Sequence, residues 1–269
     1  MTASVTVEFL GTRGAFPLNI PETQYLGTET ACTRISAGAD HLILDAGTGL
    51  NRIEPTAQDD IIVLSHFHYD HVLGLPYFLM RKQSGQVRLI SHCAESLEDL
   101  EQKLATIFGG IGFPVPLDEI YTNISLEYMT AGDALQIGRF QLTAMALNHP
   151  GGASGYRIFH ESTGRVICHL MDHECGSSVD KDLVKFAKDA DLVIFDACYD
   201  EQEYEIYKGY GHSTIAHGRQ LLKASNTQKI AFNGHSMERL DTHAYALETT
   251  LNPESEMLAR DGLTLKVGR

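Results

Sequence analysis

A chain of 269 residues, 43% of them hydrophobic, is long enough to bury a large core, and no internal period marks a repeat array. A formal net charge of −14 without a local basic patch would repel a polyanion, so composition argues against long nucleic acid as a partner. Five scattered cysteines without a CxxC argue against a disulfide framework and a cysteine-held zinc, and a reducing, cytoplasmic setting fits them best.

Residues 5–10 alternate as a strand, with no basic stretch and apolar run of a secretory signal before them. No run of about eighteen apolar residues occurs, so no span of a membrane is expected. Strands over 32–36 and 41–44 complete a β-meander, and the apolar run 61–64 reads as a buried strand. A helix begins after His71 over 72–80, and the pair Arg81-Lys82 reads as a solvated helix face. A strand over 87–91 and a helix over 95–108 follow. The apolar, glycine-rich stretch 108–116 fits a substrate lid, a homodimer contact or an ordinary loop. Strands are expected over 125–129, 140–147, 155–159 and 166–170. The last third alternates helix 179–188, buried strand 192–195, helix 214–224, strand 229–232 and a helix near 242–251. This order predicts a single α/β domain over 1–269, two sheets with helices on both outer faces.

The chemistry concentrates in Ser65-His66-Phe67-His68-Tyr69-Asp70-His71, where three imidazoles and a carboxylate fall within six residues after a buried strand. Such crowding is poor packing, because neighbouring imidazoles depress one another's protonation and leave nitrogens unsatisfied, whereas divalent metals reward it. On an extended loop His66 and His68 point to one side and can share an ion, while Asp70 and His71 turn away and can serve a second. One loop cannot fill two coordination spheres, so further ligands are expected at later strand ends, and His149, Asp172 and His235 stand there.

The HxHxDH run, with Asp45 in Leu44-Asp45-Ala46-Gly47-Thr48-Gly49 before it and His149, Asp172 and His235 after it, resembles the metallo-β-lactamase superfamily over essentially the whole chain. The resemblance implies a four-layer αββα sandwich and two divalent ions, Zn²⁺ first, with Mn²⁺ or Fe²⁺ as alternatives. It also implies that His66, His68 and His149 hold one ion and Asp70, His71 and His235 the other, with Asp172 bridging and Asp45 orienting the loop from behind.

Leu10-Gly11-Thr12-Arg13-Gly14 and Gly211-His212-Ser213-Thr214 resemble the branch with tRNase Z and the small cyclic-phosphate phosphodiesterases. That resemblance implies a phosphodiesterase working through a metal-bound hydroxide, with His212 and Asp70 catalytic and His212 assisting the leaving oxygen. The plainer reading of the same segment is a helix start capped by Ser213 or Thr214. Only 22 residues separate His149 from Asp172, too few for the long basic arm with which many tRNase Z proteins grip tRNA, so a small or cyclic phosphodiester is the expected substrate. A lactonase, thioesterase or β-lactamase would keep the metals and attack carbon instead. A non-catalytic metal-binding module is weighed against a ligand set from which no member is missing. A di-iron oxygen-reducing relative would resemble HxExDH, and here that position is His68. His173, beside Asp172, is an extra imidazole of open role, and Cys198 is expected to be a buried thiol.

Overall fold

The computed structural model describes residues 4–110, 112–130 and 132–268. Its first sheet holds β1 (Val5–Gly11), β2 (Cys32–Ala37), β3 (Asp40–Leu44), β4 (Asp60–Leu64), β5 (Val87–Ser91) and β6 (Ile124–Tyr128). The second holds β7 (Ala134–Ile137), β8 (Phe140–Leu147), β9 (Ala153–His160), β10 (Arg165–Leu170), β11 (Leu192–Asp196), β12 (Ile230–Asn233) and β13 (Glu256–Leu258), and β14 (Thr264–Val267) returns to the first sheet beside β1. The helices are α1 (Tyr69–Val72), α2 (Leu75–Arg81), α3 (Leu97–Ile107), α4 (Leu117–Ile120), α5 (Lys181–Phe186), α6 (Glu201–Ile206), α7 (Ile215–Ser225) and α8 (Asp241–Glu248).

Each sheet is antiparallel on one side and parallel on the other. In the first, β14, β1, β2 and β3 pair antiparallel, and β3, β4, β5 and β6 run parallel. In the second, β7 to β10 are antiparallel and β10 to β13 parallel. The alternating strand β1 turns Val5, Val7 and Phe9 inward, where they meet Phe140, Leu142, Tyr156, Ile158 and Ile194 of the facing sheet. A second apolar layer joins β4 and β5 to α2 and α3 through Ile62, Leu64, Phe78 and Leu100, and a third joins β10 and β11 to α5 and α7 through Cys168, Phe195, Leu183 and Leu221. Helix, sheet, sheet and helix therefore stack as expected for the four-layer sandwich. The loops leaving the carboxyl ends of the parallel strands β4, β10, β11 and β12 are the natural place for a site.

Lys82 does not lie on a solvated helix face. Its ammonium is buried and donates to the Asp60 carboxylate, with further bonds to the carbonyls of Thr56 and Gln58, so this lysine closes the start of β4 instead of facing solvent. Among the described residues no helix is long and apolar enough to cross a membrane. Cys198 is buried, and burial pushes its thiol well above the ordinary range.

Candidate metal centre

β4 delivers Ser65 and His66 straight into the gap between the sheets, and α1 begins immediately after His68. Asp45, at the end of neighbouring β3, sits in the left-handed region at φ 60°, a strained geometry for a side-chain-bearing residue that aims its carboxylate at this loop. One of its oxygens accepts from the Ser65 backbone N–H at 2.7 Å, and the other accepts from the Ser65 hydroxyl at 2.9 Å and lies 2.9 Å from His71 Nδ1. Gly47 lets this turn pack against the histidine loop, since a Cβ there would lie 2.1 Å from the Asp70 carbonyl oxygen.

Three rings are tied from behind by Nδ1. His66 Nδ1 lies 3.0 Å from the Ser65 hydroxyl, His71 Nδ1 meets Asp45, and His149 Nδ1 donates to the Gly211 carbonyl at 2.9 Å. Each then turns Nε2 toward Asp172, at 3.5 Å for His66, 3.3 Å for His71 and 3.4 Å for His149. Asp172 follows β10 and, like Asp45, adopts a positive φ, of 56°. Gly211 is required where it stands: its φ is +92°, and a Cβ would fall 2.1 Å from His149 Nδ1.

The donor set fits a divalent cation. Atoms of His66, His68, His149 and Asp172 lie within 4.8 Å of one another. His66 Nε2 is buried without a hydrogen-bond partner, and His149 Nε2 faces His68 Nδ1 at 3.0 Å. A cation shared among these lone pairs resolves both features. Burial, reinforced by the neighbouring His71 charge, brings His66 down to about 3, so its lone pair is available at neutral pH. His68 is lowered too, by desolvation and by His149. For His71 burial pulls downward, but Asp172, Asp45 and Asp70 outweigh it and hold the ring well above its ordinary value. Asp70 stays ionised at about 2: burial opposes this, and the His71 charge wins. Its Oδ2 also accepts from the Ala15 backbone N–H at 2.8 Å and lies 3.5 Å from His71 Nε2.

His235 does not join them. It follows β12 as expected, yet its Nε2 donates to the Ala259 carbonyl at 2.7 Å and its Nδ1 accepts from the Arg239 guanidinium at 3.0 Å. The ring is fully buried, and burial next to Arg239 holds it neutral. Both clusters of donor atoms formed by the described residues, His66/His68/His149/Asp172 and Asp172/Asp196/His212, leave out His235, and Asp70 and His71 with it. In this structure His235 is expected to complete the second ion's sphere from a ring whose two nitrogens already have protein partners. Ala259 and Arg239, brought beside the turn by the fold, occupy both.

Sequence reasoning missed Asp196, the last residue of β11. It is buried, accepts from the backbone N–H groups of His173 and Cys198 at 3.0 Å each, and holds His212 Nδ1 at 2.8 Å. The signal was present, a carboxylate ending a buried apolar strand, as at Asp172. Burial would lower His212, but Asp196 and Asp172 raise it to about 9. Thr214 does cap α7, accepting from the His217 N–H at 3.3 Å, as the plainer reading of the segment expects. Ser213 is a buried staple to the His173 carbonyl, 2.5 Å away. His173 itself accepts from the Asn148 N–H and stands outside both donor clusters. Arg13 is structural: buried, it donates to the carbonyls of Gly27, Ser236 and Arg239.

The donors open into a cavity of about 420 Å³ lined by Phe16, Phe67, Tyr69, Asp70, Tyr210 and His212 among others. Phe16, Tyr69 and Ile107 continue into an apolar cavity of about 470 Å³ with Tyr77, Phe108 and Phe113. Of the stretch 108–116, Phe108, Gly112 and Phe113 line this second cavity, and Ile111 is outside the described residues.

Residues 40–232 match the family model described as a beta-lactamase superfamily domain. Ribonuclease Z of Bradyrhizobium diazoefficiens is 22% identical over 305 residues, covering 93% of this chain and 96% of that protein. Among solved structures, a metallo-beta-lactamase fold protein from Bacillus subtilis superposes with a TM-score of 0.73 at 18% identity, covering 98% of this chain and 99% of the other. A diphosphatase from the PhnP family does so with a TM-score of 0.71 at 17% identity, covering 98% and 97%. With residues 40–232 matched and the histidine loop framed between two such sheets, the chain belongs to the beta-lactamase superfamily and is a metal-dependent hydrolase of the metallo-β-lactamase fold.

Proposed function

We propose that the protein is a phosphodiesterase acting on a small or cyclic phosphodiester. The observation that carries this reading is the His212–Asp196 pair, 2.8 Å apart, beside the donors of His66, His68, His149 and Asp172. His66, His68, His149 and Asp172 would hold a divalent cation, Zn²⁺ first and Mn²⁺ or Fe²⁺ as alternatives, which would supply Lewis-acid chemistry at the phosphoryl group. His212 commits Nδ1–H to Asp196, which favours the charged ring and leaves Nε2–H to protonate the departing oxygen. Asp196 acts through His212 as a positioning residue. Asp70, an ionised carboxylate fixed by the Ala15 N–H and bordering the cavity, orients groups at the reacting end.

The surroundings favour a substrate with one phosphoryl group and an apolar or aromatic arm. Among the described residues no lysine or arginine lines either cavity to meet further phosphates, while Phe16, Tyr69, Tyr77 and Phe113 offer faces for an aryl or nucleobase arm. Cleavage of bis(p-nitrophenyl) phosphate and a panel of cyclic nucleotides, with Zn²⁺ or Mn²⁺ supplied, tests the reading. Turnover of at least one is expected, and failure on all of them sinks it. Faster hydrolysis of nitrocefin or an acyl-homoserine lactone would transfer the activity to a carbon centre.

A second reading, RNA as the substrate, draws on the ribonuclease Z relative that spans 93% of this chain. That likeness removes the support that net charge alone lent to excluding long nucleic acid. Specific 3′ cleavage of a precursor tRNA, faster than any small diester, would establish it.

A further inference from the structure

We infer that the two ion positions of this centre are unequal: one is held tightly by His66, His68, His149 and Asp172, and the other, bounded by Asp70, His71 and Asp172, is held weakly because His235 is spent inside the fold. The inference rests on the metal-binding half of the proposed function and departs from an evenly filled pair.

The first position has three imidazoles and a carboxylate, whose donor atoms lie within 4.8 Å of one another and would hold the ion. The second offers His71 Nε2, 3.5 Å from Asp70 Oδ2 and 3.3 Å from Asp172 Oδ1, and no fourth donor from the turn after β12. Neither ring nitrogen of His235 is spare, since Ala259 takes the N–H and Arg239 fills the lone pair. A rotamer change cannot release it cheaply. The ring is fully buried, and the turn is pinned by Arg13, which donates to the carbonyls of Ser236 and Arg239 at 3.0 and 2.8 Å. Arg239 also donates to the Ala197 carbonyl at 2.7 Å, so moving His235 would unseat a guanidinium that ties β12 to the end of β11. Gly234, the residue before His235, carries no side chain to take its place.

Losing an outer partner of a ligand already costs about 10- to 100-fold in metal affinity, so a missing inner ligand should separate the two positions by at least ~100-fold. The test titrates metal-free protein with Zn²⁺ against a chromophoric chelator and counts the equivalents retained after gel filtration. One retained equivalent and a second at least ~100-fold weaker are expected. Asp70→Asn should remove only the weak step, and His235→Asn should keep both steps. Two equivalents of matched affinity would overturn the inference. So would loss of an equivalent in His235→Asn with an unchanged circular dichroism spectrum. If that variant does not fold, His235→Gln replaces it, and the wild-type affinity ratio decides alone. Hydrolysis of bis(p-nitrophenyl) phosphate by the same preparations separates the two claims. Matched affinities with turnover sink the inequality and leave the phosphodiesterase reading, and unequal affinities without turnover do the reverse.

Discussion

The turns that leave β4 and β12 make an instructive pair. Both follow short, fully or largely buried parallel strands, and both place a histidine just past the strand end. Behind the first turn stands an anion, Asp45, which takes Ser65 and His71 Nδ1 and leaves Nε2 pointing into the gap. Behind the second stand two buried cations, Arg13 and Arg239, and the His235 ring is satisfied on both sides. A metal ligand is therefore a histidine with one nitrogen anchored and the other left unmet, and burial at a strand end supplies only the first half of that condition.

The largest expected effect comes from Asp172→Ala, because Asp172 borders both positions. Metal content should fall to the background level and kcat/KM for the best diester by more than ~100-fold. A variant that kept its metal would detach Asp172 from the comparison. His212→Ala should cost about 10²- to 10⁴-fold on a diester with an alkyl leaving group and far less on a p-nitrophenyl ester, whose anion departs without a proton. Equal losses on both substrates would remove the acid role. Asp196→Asn should lower turnover by roughly 10- to 100-fold while retaining metal.

The same pair has a pH signature in the metal-free protein. His212 has a folded value of about 9, above its unfolded value, so its contribution to stability is fully present below about 6.5 and is lost as pH rises through about 9. Urea unfolding across that range should show wild-type stability falling toward that of Asp196→Asn, and parallel curves for the two would break the assignment. The smallest effect on the centre belongs to His235→Asn, with metal content unchanged and stability lowered by about 1 to 3 kcal/mol for the disturbed buried hydrogen bonds. Thermal unfolding and metal analysis of one preparation check both.

Local pattern carried far in this chain. The 140–147 strand, predicted from its apolar alternation, is β8 to the residue, and the HxHxDH run lands at the carboxyl end of a buried parallel strand. The strands that escaped were edges. β13 and β14 are three and four residues long, and β7 buries fully only Ile137, too little for a periodic signal. α6 was missed although Asp200 and Glu203 form a capping box around its first turn.

Sequence alone pointed to the fold class and to His66, His68, His149 and Asp172, whose donor atoms the fold brings within 4.8 Å of one another, because strand periodicity and residue chemistry are local and survive without coordinates. Only the tertiary structure decided what each polar group finds opposite it. Lys82 finds Asp60, Asp196 finds His212, and His235 finds Arg239 and Ala259 instead of an ion. The physical reason is that a side chain's role follows from the partner of its last free atom. For Lys82, Asp196 and the Ala259 side of His235 those partners lie 22, 16 and 24 positions away, on strands and turns that only folding brings together.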